Sequence, residues 1–119
     1  MTKAGRFLKK GEIYFANLDP TMGAEIKKIR PVLIVSNDLN NQFSPLITVI
    51  PLTSQIDRIY PAEVVLTQAA TMLNKDSKAQ CHQIRTISKM RIQTTTPAGK
   101  IDKALMQQIH QAIQLHLDI

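Results

Sequence analysis

The chain has 119 residues, 44% of them hydrophobic and 20% charged, with 15 Lys and Arg against 9 Asp and Glu for a net charge of +6. That length suits one domain, and the apolar fraction excludes a wholly disordered chain. The longest apolar runs, such as Val32-Leu33-Ile34-Val35, fall far short of the ~18 residues of a membrane span, so no membrane partner is expected. Only 4% of the residues are aromatic and none is Trp, so the core must come from Ile, Leu and Val.

A single cysteine, Cys81, cannot form an internal disulfide, which fits a cytoplasmic location. Met1 to Lys10 is basic but is followed by no apolar stretch. It reads as a flexible tail, residues 1–10, ahead of a single domain over residues 11–119, and not as a secretory signal. The charge is unevenly spread: residues 1–30 carry +4, residues 31–72 carry −2, residues 73–103 carry +5 and residues 104–119 carry −1. Two basic blocks around a nearly uncharged middle describe a polyanion-facing surface as well as a solubilising one.

In chain order, Glu12 to Leu18 is β-prone and bounded by Gly11 and Asp19-Pro20, which predicts a strand. Asp19 to Ile29, with Pro20, Gly23, Lys27 and Lys28 and no apolar period, predicts an exposed loop long enough to carry function. Arg30 to Ser36, Leu46 to Leu52 and Ala62 to Leu66 predict buried strands, and Lys78 to Gln83 with Ile84 to Ser88 predict two strands or one bent strand. Leu105, Ile109, Ile113 and Leu117, with Met106 and Ala112 alongside, mark one face of a helix. Asp102 is its expected N-cap, with Ile101 and Met106 at the two positions of a hydrophobic staple. The fold class is therefore mainly β or α+β: a small barrel or strongly bent sheet with a C-terminal α-helix.

Metal binding has little support. His82, His110 and His116 form no ligand spacing with one another, and Cys81-His82 on a strand would point to opposite faces. No Gly-rich phosphate loop or nucleophile elbow is present. What remains are polar residues at strand ends. Arg30 precedes Pro31, where a guanidinium can hold a phosphate with its planar fork. Thr53-Ser54 follow Pro51-Leu52 and supply hydroxyls, and His82-Gln83 ahead of Arg85 supply an imidazole, an amide and a cation. Each also has a plain reading as a surface charge, a turn or a strand-end histidine.

Taken in order, the blocks Gly11-Glu12-Ile13-Tyr14-Phe15, Leu18-Asp19-Pro20-Thr21, Gly23-Ala24-Glu25 and Arg30 to Asn37 resemble the MazF/PemK (Kid) family of toxin ribonucleases. The resemblance continues through Pro51-Leu52-Thr53-Ser54, Tyr60-Pro61-Ala62-Glu63-Val64 and Gln83 to Arg91, and runs from Gly11 to about Leu117. It implies a small SH3-like β-barrel with a terminal helix, a homodimer, cleavage of single-stranded RNA without metal or other cofactor, and a cognate antitoxin with an acidic, extended tail. It also implies catalytic roles for Arg30 and Thr53, a loop carboxylate at Glu25 and a base contact at Gln83. The family usually carries Asp or Glu where this chain has His82.

The mechanism expected on this resemblance is attack of the ribose 2′-OH on the adjacent phosphate, with Arg30 and Thr53 stabilising the charge and either His82 or Glu25 taking the proton. Lys27, Lys28, Ser54, Gln83 and Arg85 are the expected RNA contacts, bases being read by hydrogen bonds in a chain so poor in aromatics. Two rival readings are a non-catalytic barrel that binds nucleic acid or a partner, and a CcdB-like gyrase poison. The latter depends on a Trp-Gly-Ile ending, whereas this chain ends His116-Leu117-Asp118-Ile119.

Overall fold

The computed structural model describes residues 7–18 and 29–119. Its strands are β1 (Glu12–Asn17), β2 (Ile29–Ile34), β3 (Leu46–Thr53), β4 (Glu63–Leu66), β5 (Ser77–Gln80), β6 (Arg85–Ser88) and β7 (Gly99–Lys100). Two short helices, α1 (Asp38–Phe43) and α2 (Gln68–Thr71), and the long α3 (Lys103–Leu117) complete it, with 3-10 turns at Cys81–Gln83 and Lys89–Arg91. The strands make one curled antiparallel sheet in the order β4-β5-β3-β2-β1-β7, with β6 also paired to β3. This is the expected mainly-β fold with a C-terminal helix.

β3 organises the sheet. One edge pairs with β2 through Val32↔Pro51, Leu33↔Ile50 and Ile34↔Val49. The other edge is shared: Leu46 to Val49 face β6, and Leu52 and Thr53 face β5. Between those two partners the chain makes the 3-10 turn at Cys81–Gln83. The segment expected to be two strands or one bent strand is thus two strands, and Cys81 and His82 lie on the turn, not on a strand. They still have opposite surroundings: Cys81 is fully buried and His82 exposed.

Side chains alternate across the sheet and fill two apolar layers. Ile13, Leu33, Ile50, Leu52, Val64, Leu66 and Ala79 belong to the layer covered by α3. Tyr14, Ala16, Val32, Ile34, Ile47, Val49 and Ile87 belong to the layer inside the curl. Val32 to Val35 is buried on both sides, so the run is continuously apolar where a half-exposed strand would alternate. Leu8 packs fully buried into the inner layer, and the amides of Lys9 and Lys10 donate to Glu12 Oε1 and Asp38 Oδ1 at 2.9 and 2.8 Å. The packed unit therefore reaches back into the segment expected to be a flexible tail, because a buried leucine ties down the chain ahead of β1.

α3 starts as expected. Asp102 accepts a hydrogen bond from the Leu105 amide at 2.9 Å, and Ile101 and Met106 both pack on the outer layer. Ile109 and Ala112 are buried and Leu105 and Ile113 lie against them, but Leu117 is 51% exposed. The expected apolar face therefore ends a turn early, at Ile113, and the last turn instead sets His116 against His82.

Two glycines are held to their positions. Gly11 has φ +93° while its N–H donates to Ile34 O and its C=O accepts from the Ile101 N–H, each at 2.9 Å, a left-handed conformation that favours glycine. A Cβ on Gly99 would lie 2.3 Å from Thr71 O. Thr71 is itself fully buried and pinned by its hydroxyl to Thr67 O at 3.0 Å, so it cannot yield. Gly99→Ala is expected to cost about 1–3 kcal/mol through overpacking, read as a lower midpoint in thermal unfolding.

Candidate active site

The registers of β1, β2, β3 and β5 put a row of side chains on the inner-curl face of the sheet, at the end where β3 stops. Ala16 on β1 faces Arg30 on β2, and Thr53 on β3 faces Lys78 on β5. Continuing the β2–β3 register two residues beyond Val32↔Pro51 sets Arg30 opposite Thr53. Arg30 shares its face with Val32 and Ile34, and Thr53 shares its face with Val49. Ala16, its partner on β1, ends in a methyl group, and Arg30 itself is half-buried. The two residues expected to be catalytic thus lie at the same end of neighbouring strands, each two residues beyond the Val32↔Pro51 pair.

The Thr53 hydroxyl is already oriented. Its Oγ1 accepts from the Gln55 amide at 3.2 Å. An oxygen whose lone pair receives that N–H keeps its own O–H for a further acceptor, such as a phosphate oxygen.

Next to Thr53 lies an ion pair that carries no role in the sequence reading. Lys78 Nζ is 2.9 Å from Glu63 Oε1, with side-chain exposures of only 8% and 2%. Lys78 Nζ also donates to Arg58 O at 2.6 Å and stands 5.6 Å from the centre of the Tyr60 ring. The Tyr60 amide donates to Glu63 Oε1 at 2.8 Å. Burial by itself would raise the Glu63 carboxyl. The Tyr60 amide, the hydrogen bond and charge of Lys78, and the charge of His82 outweigh it and hold Glu63 below its ordinary range. Glu63 stands in the Tyr60-Pro61-Ala62-Glu63-Val64 block, but its partner lies on another strand, 15 residues on, and only the β4–β5 register joins them.

His82 and Gln83 are exposed on the 3-10 turn at the shared edge of β3. The His82 ring meets the His116 ring of α3 edge to face, with centroids 6.2 Å apart. Arg85 is exposed on β6 opposite Val49, on the same sheet face as Arg30. Cys81, beneath this turn, has its thiol pushed up to about 12 by burial and by the Glu63 carboxylate, so it is no nucleophile at neutral pH. Among the described residues no group of three or more His, Cys, Asp and Glu is placed to hold a metal, and no helix is long and apolar enough to cross a membrane.

Ser54 is set apart from this row. It lines a groove of about 280 Å³ with Phe15, Pro31, Leu52, Asn74 and Lys75. By strand alternation Phe15 and Pro31 share the α3-side face with Ile13 and Leu33. Arg30 and Pro31, and likewise Thr53 and Ser54, thus reach the two faces of the same sheet end. Glu25, Lys27 and Lys28, with the rest of residues 19–28 where a loop is expected, lie outside the described residues.

This curled antiparallel sheet with one terminal helix superposes on solved MazF toxins. The toxin MazF-mt6 of Mycobacterium tuberculosis superposes with a TM-score of 0.75 at 25% identity, over 91% of this chain and 97% of that one. An endoribonuclease from a mycobacterial species, solved in complex with its cognate antitoxin, superposes with a TM-score of 0.73 at 22% identity, over 94% and 96% of the two chains. The model of the family described as PemK-like, MazF-like toxins of type II toxin–antitoxin systems matches residues 9–117, and this chain belongs to that family. The protein named Endoribonuclease MazF9 in Mycobacterium tuberculosis is 39% identical over 117 residues, 94% of this chain and 98% of that protein.

Proposed function

We propose that this chain is the toxin of a toxin–antitoxin pair and an endoribonuclease that cuts single-stranded RNA at short sequences without a metal. Arg30 and Thr53, at the same end of β2 and β3 and facing each other if the β2–β3 register is continued, carry the reading. Membership of the toxin family and the endoribonuclease name of the 39% identical relative support it and disfavour the gyrase-poison reading.

In this mechanism the ribose 2′-oxygen attacks the adjacent phosphorus and the bond to the 5′-oxygen breaks, leaving a 2′,3′-cyclic phosphate and a 5′-OH. The substrate supplies its own nucleophile. Arg30 clamps the phosphate oxygens and Thr53 donates from the hydroxyl that Gln55 leaves free. His82 or Glu25 takes the 2′-OH proton, and the departing 5′-oxygen is protonated in return. Gln83, Arg85, Lys27 and Lys28 hold the strand, and Ser54 meets a base in the groove beside Phe15. The partners are single-stranded RNA, a second copy of the chain, and an antitoxin whose acidic, extended tail competes for the same basic surface, all in the cytoplasm.

Incubation of the purified chain with a long single-stranded RNA in EDTA is expected to give discrete fragments with 5′-OH ends. An RNA with deoxyribose at the mapped scissile position is expected to stay intact, and its cleavage would overturn attack by the 2′-OH. Intact RNA throughout, with salt-sensitive binding retained, would leave the non-catalytic barrel.

A further inference from the structure

We propose that the Glu63–Lys78 ion pair is a positioning device for Thr53: it clasps the loop between β3 and β4 so that the Gln55 amide holds the Thr53 hydroxyl as a donor. This rests on the role given to Thr53 above.

β4 and β5 do not need the pair for alignment, since four register pairs from Glu63↔Gln80 to Leu66↔Ser77 already join them. The hydrogen bonds that leave the pair go to the loop instead. Lys78 Nζ donates to Arg58 O, and Glu63 Oε1 accepts from the Tyr60 amide. The Tyr60 ring covers the ammonium, and Arg58 Nη1 reaches the Tyr60 hydroxyl at 3.3 Å. One end of the loop is fixed this way. At its other end the Gln55 N–H donates to Thr53 Oγ1. Lys78 is also the residue directly across from Thr53 on β5, so one side chain grips the loop's far end from beside its near end. Two charges taken out of water cost free energy that their attraction only partly returns. That cost is placed where a loop next to a reacting group must hold one geometry, and small displacements of a catalytic donor lower rates steeply.

The test is steady-state cleavage of an RNA oligonucleotide by the full chain. The paired replacement Glu63→Gln/Lys78→Met removes both charges while Gln keeps an acceptor for the Tyr60 amide. It is expected to lower kcat by about tenfold to 100-fold and to leave KM near the parent value. Gln55→Pro, in an exposed loop, deletes the amide itself and is expected to lower kcat to a similar extent with the ion pair intact. In a Thr53→Val background neither change is expected to lower kcat further. Parental kcat in the paired variant, with only a lower thermal midpoint, would overturn the clasp and leave Thr53 catalytic. A further loss in the Thr53→Val background would overturn it too, because the pair would then act elsewhere. Parental activity of Thr53→Val alone would overturn the role of Thr53 and the clasp with it.

Discussion

Arg30→Ala is expected to slow RNA cleavage on the order of 100-fold or more, the usual consequence of removing a preorganised donor to developing charge. The pentacovalent phosphate carries more negative charge than the ground state, and a guanidinium fork matches its oxygens two at a time. Arg30 is held for that task by its place in β2, where it pairs with Ala16 of β1, two residues before β2 meets β3 at Val32↔Pro51. It is only half-buried and lies outside both apolar layers, so the variant is expected to unfold at the parental temperature. Arg30→Lys keeps the charge and loses the fork, and should fall between the two. Initial rates on one oligonucleotide, with thermal melts of all three proteins, check this. A parental rate in Arg30→Ala would move the chemistry off Arg30.

Glu63→Gln is expected to destabilise the fold by about 3–5 kcal/mol, because it leaves the Lys78 ammonium buried without its counter-charge. Removing both charges together is expected to restore most of that loss, since a buried pair exchanged for uncharged groups is often nearly neutral. The sign of the pH dependence follows from the depressed carboxyl. Glu63 contributes stability above its ordinary value of 4.5, and that contribution is lost as pH falls through its lower folded value. Urea unfolding between about pH 7 and pH 3 should therefore show an acid-side loss of stability that is smaller in Glu63→Gln, since the titrating partner is gone. A single variant as stable as the parent would show that the pair carries no net charge compensation.

Most of the framework was legible because it rests on local pattern. Val32 to Val35 and Leu46 to Leu52 are apolar runs of strand length, and Asp102 with Leu105 and Ile109 announces α3. Boundaries shifted by a residue or two: β1 stops at Asn17, β2 begins at Ile29, and β3 extends to Thr53. The short helices were missed although each has a cap, Asn37 accepting from the Asn40 amide and Thr67 from that of Ala70. Helices of six and four residues show no apolar period to read. Of the site, Arg30 and Thr53 came from a resemblance, and the register that relates their strands has no local signal in the sequence. Glu63 with Lys78 was not legible at all. Nothing in the spacing of two charges on separate strands says that a loop will fold over them.

Among the described residues the outer strands of the sheet are short: β4 and β6 have four residues each and β7 has two. An unpaired strand edge is a template on which another chain can add its backbone, and long flat edges are where aggregation starts. Here the eight-residue β3, the longest strand, is enclosed by partners on both sides. What the sheet shows at its margins is a few N–H and C=O groups beside exposed Arg85 and Lys100, a poor footing for fibre growth.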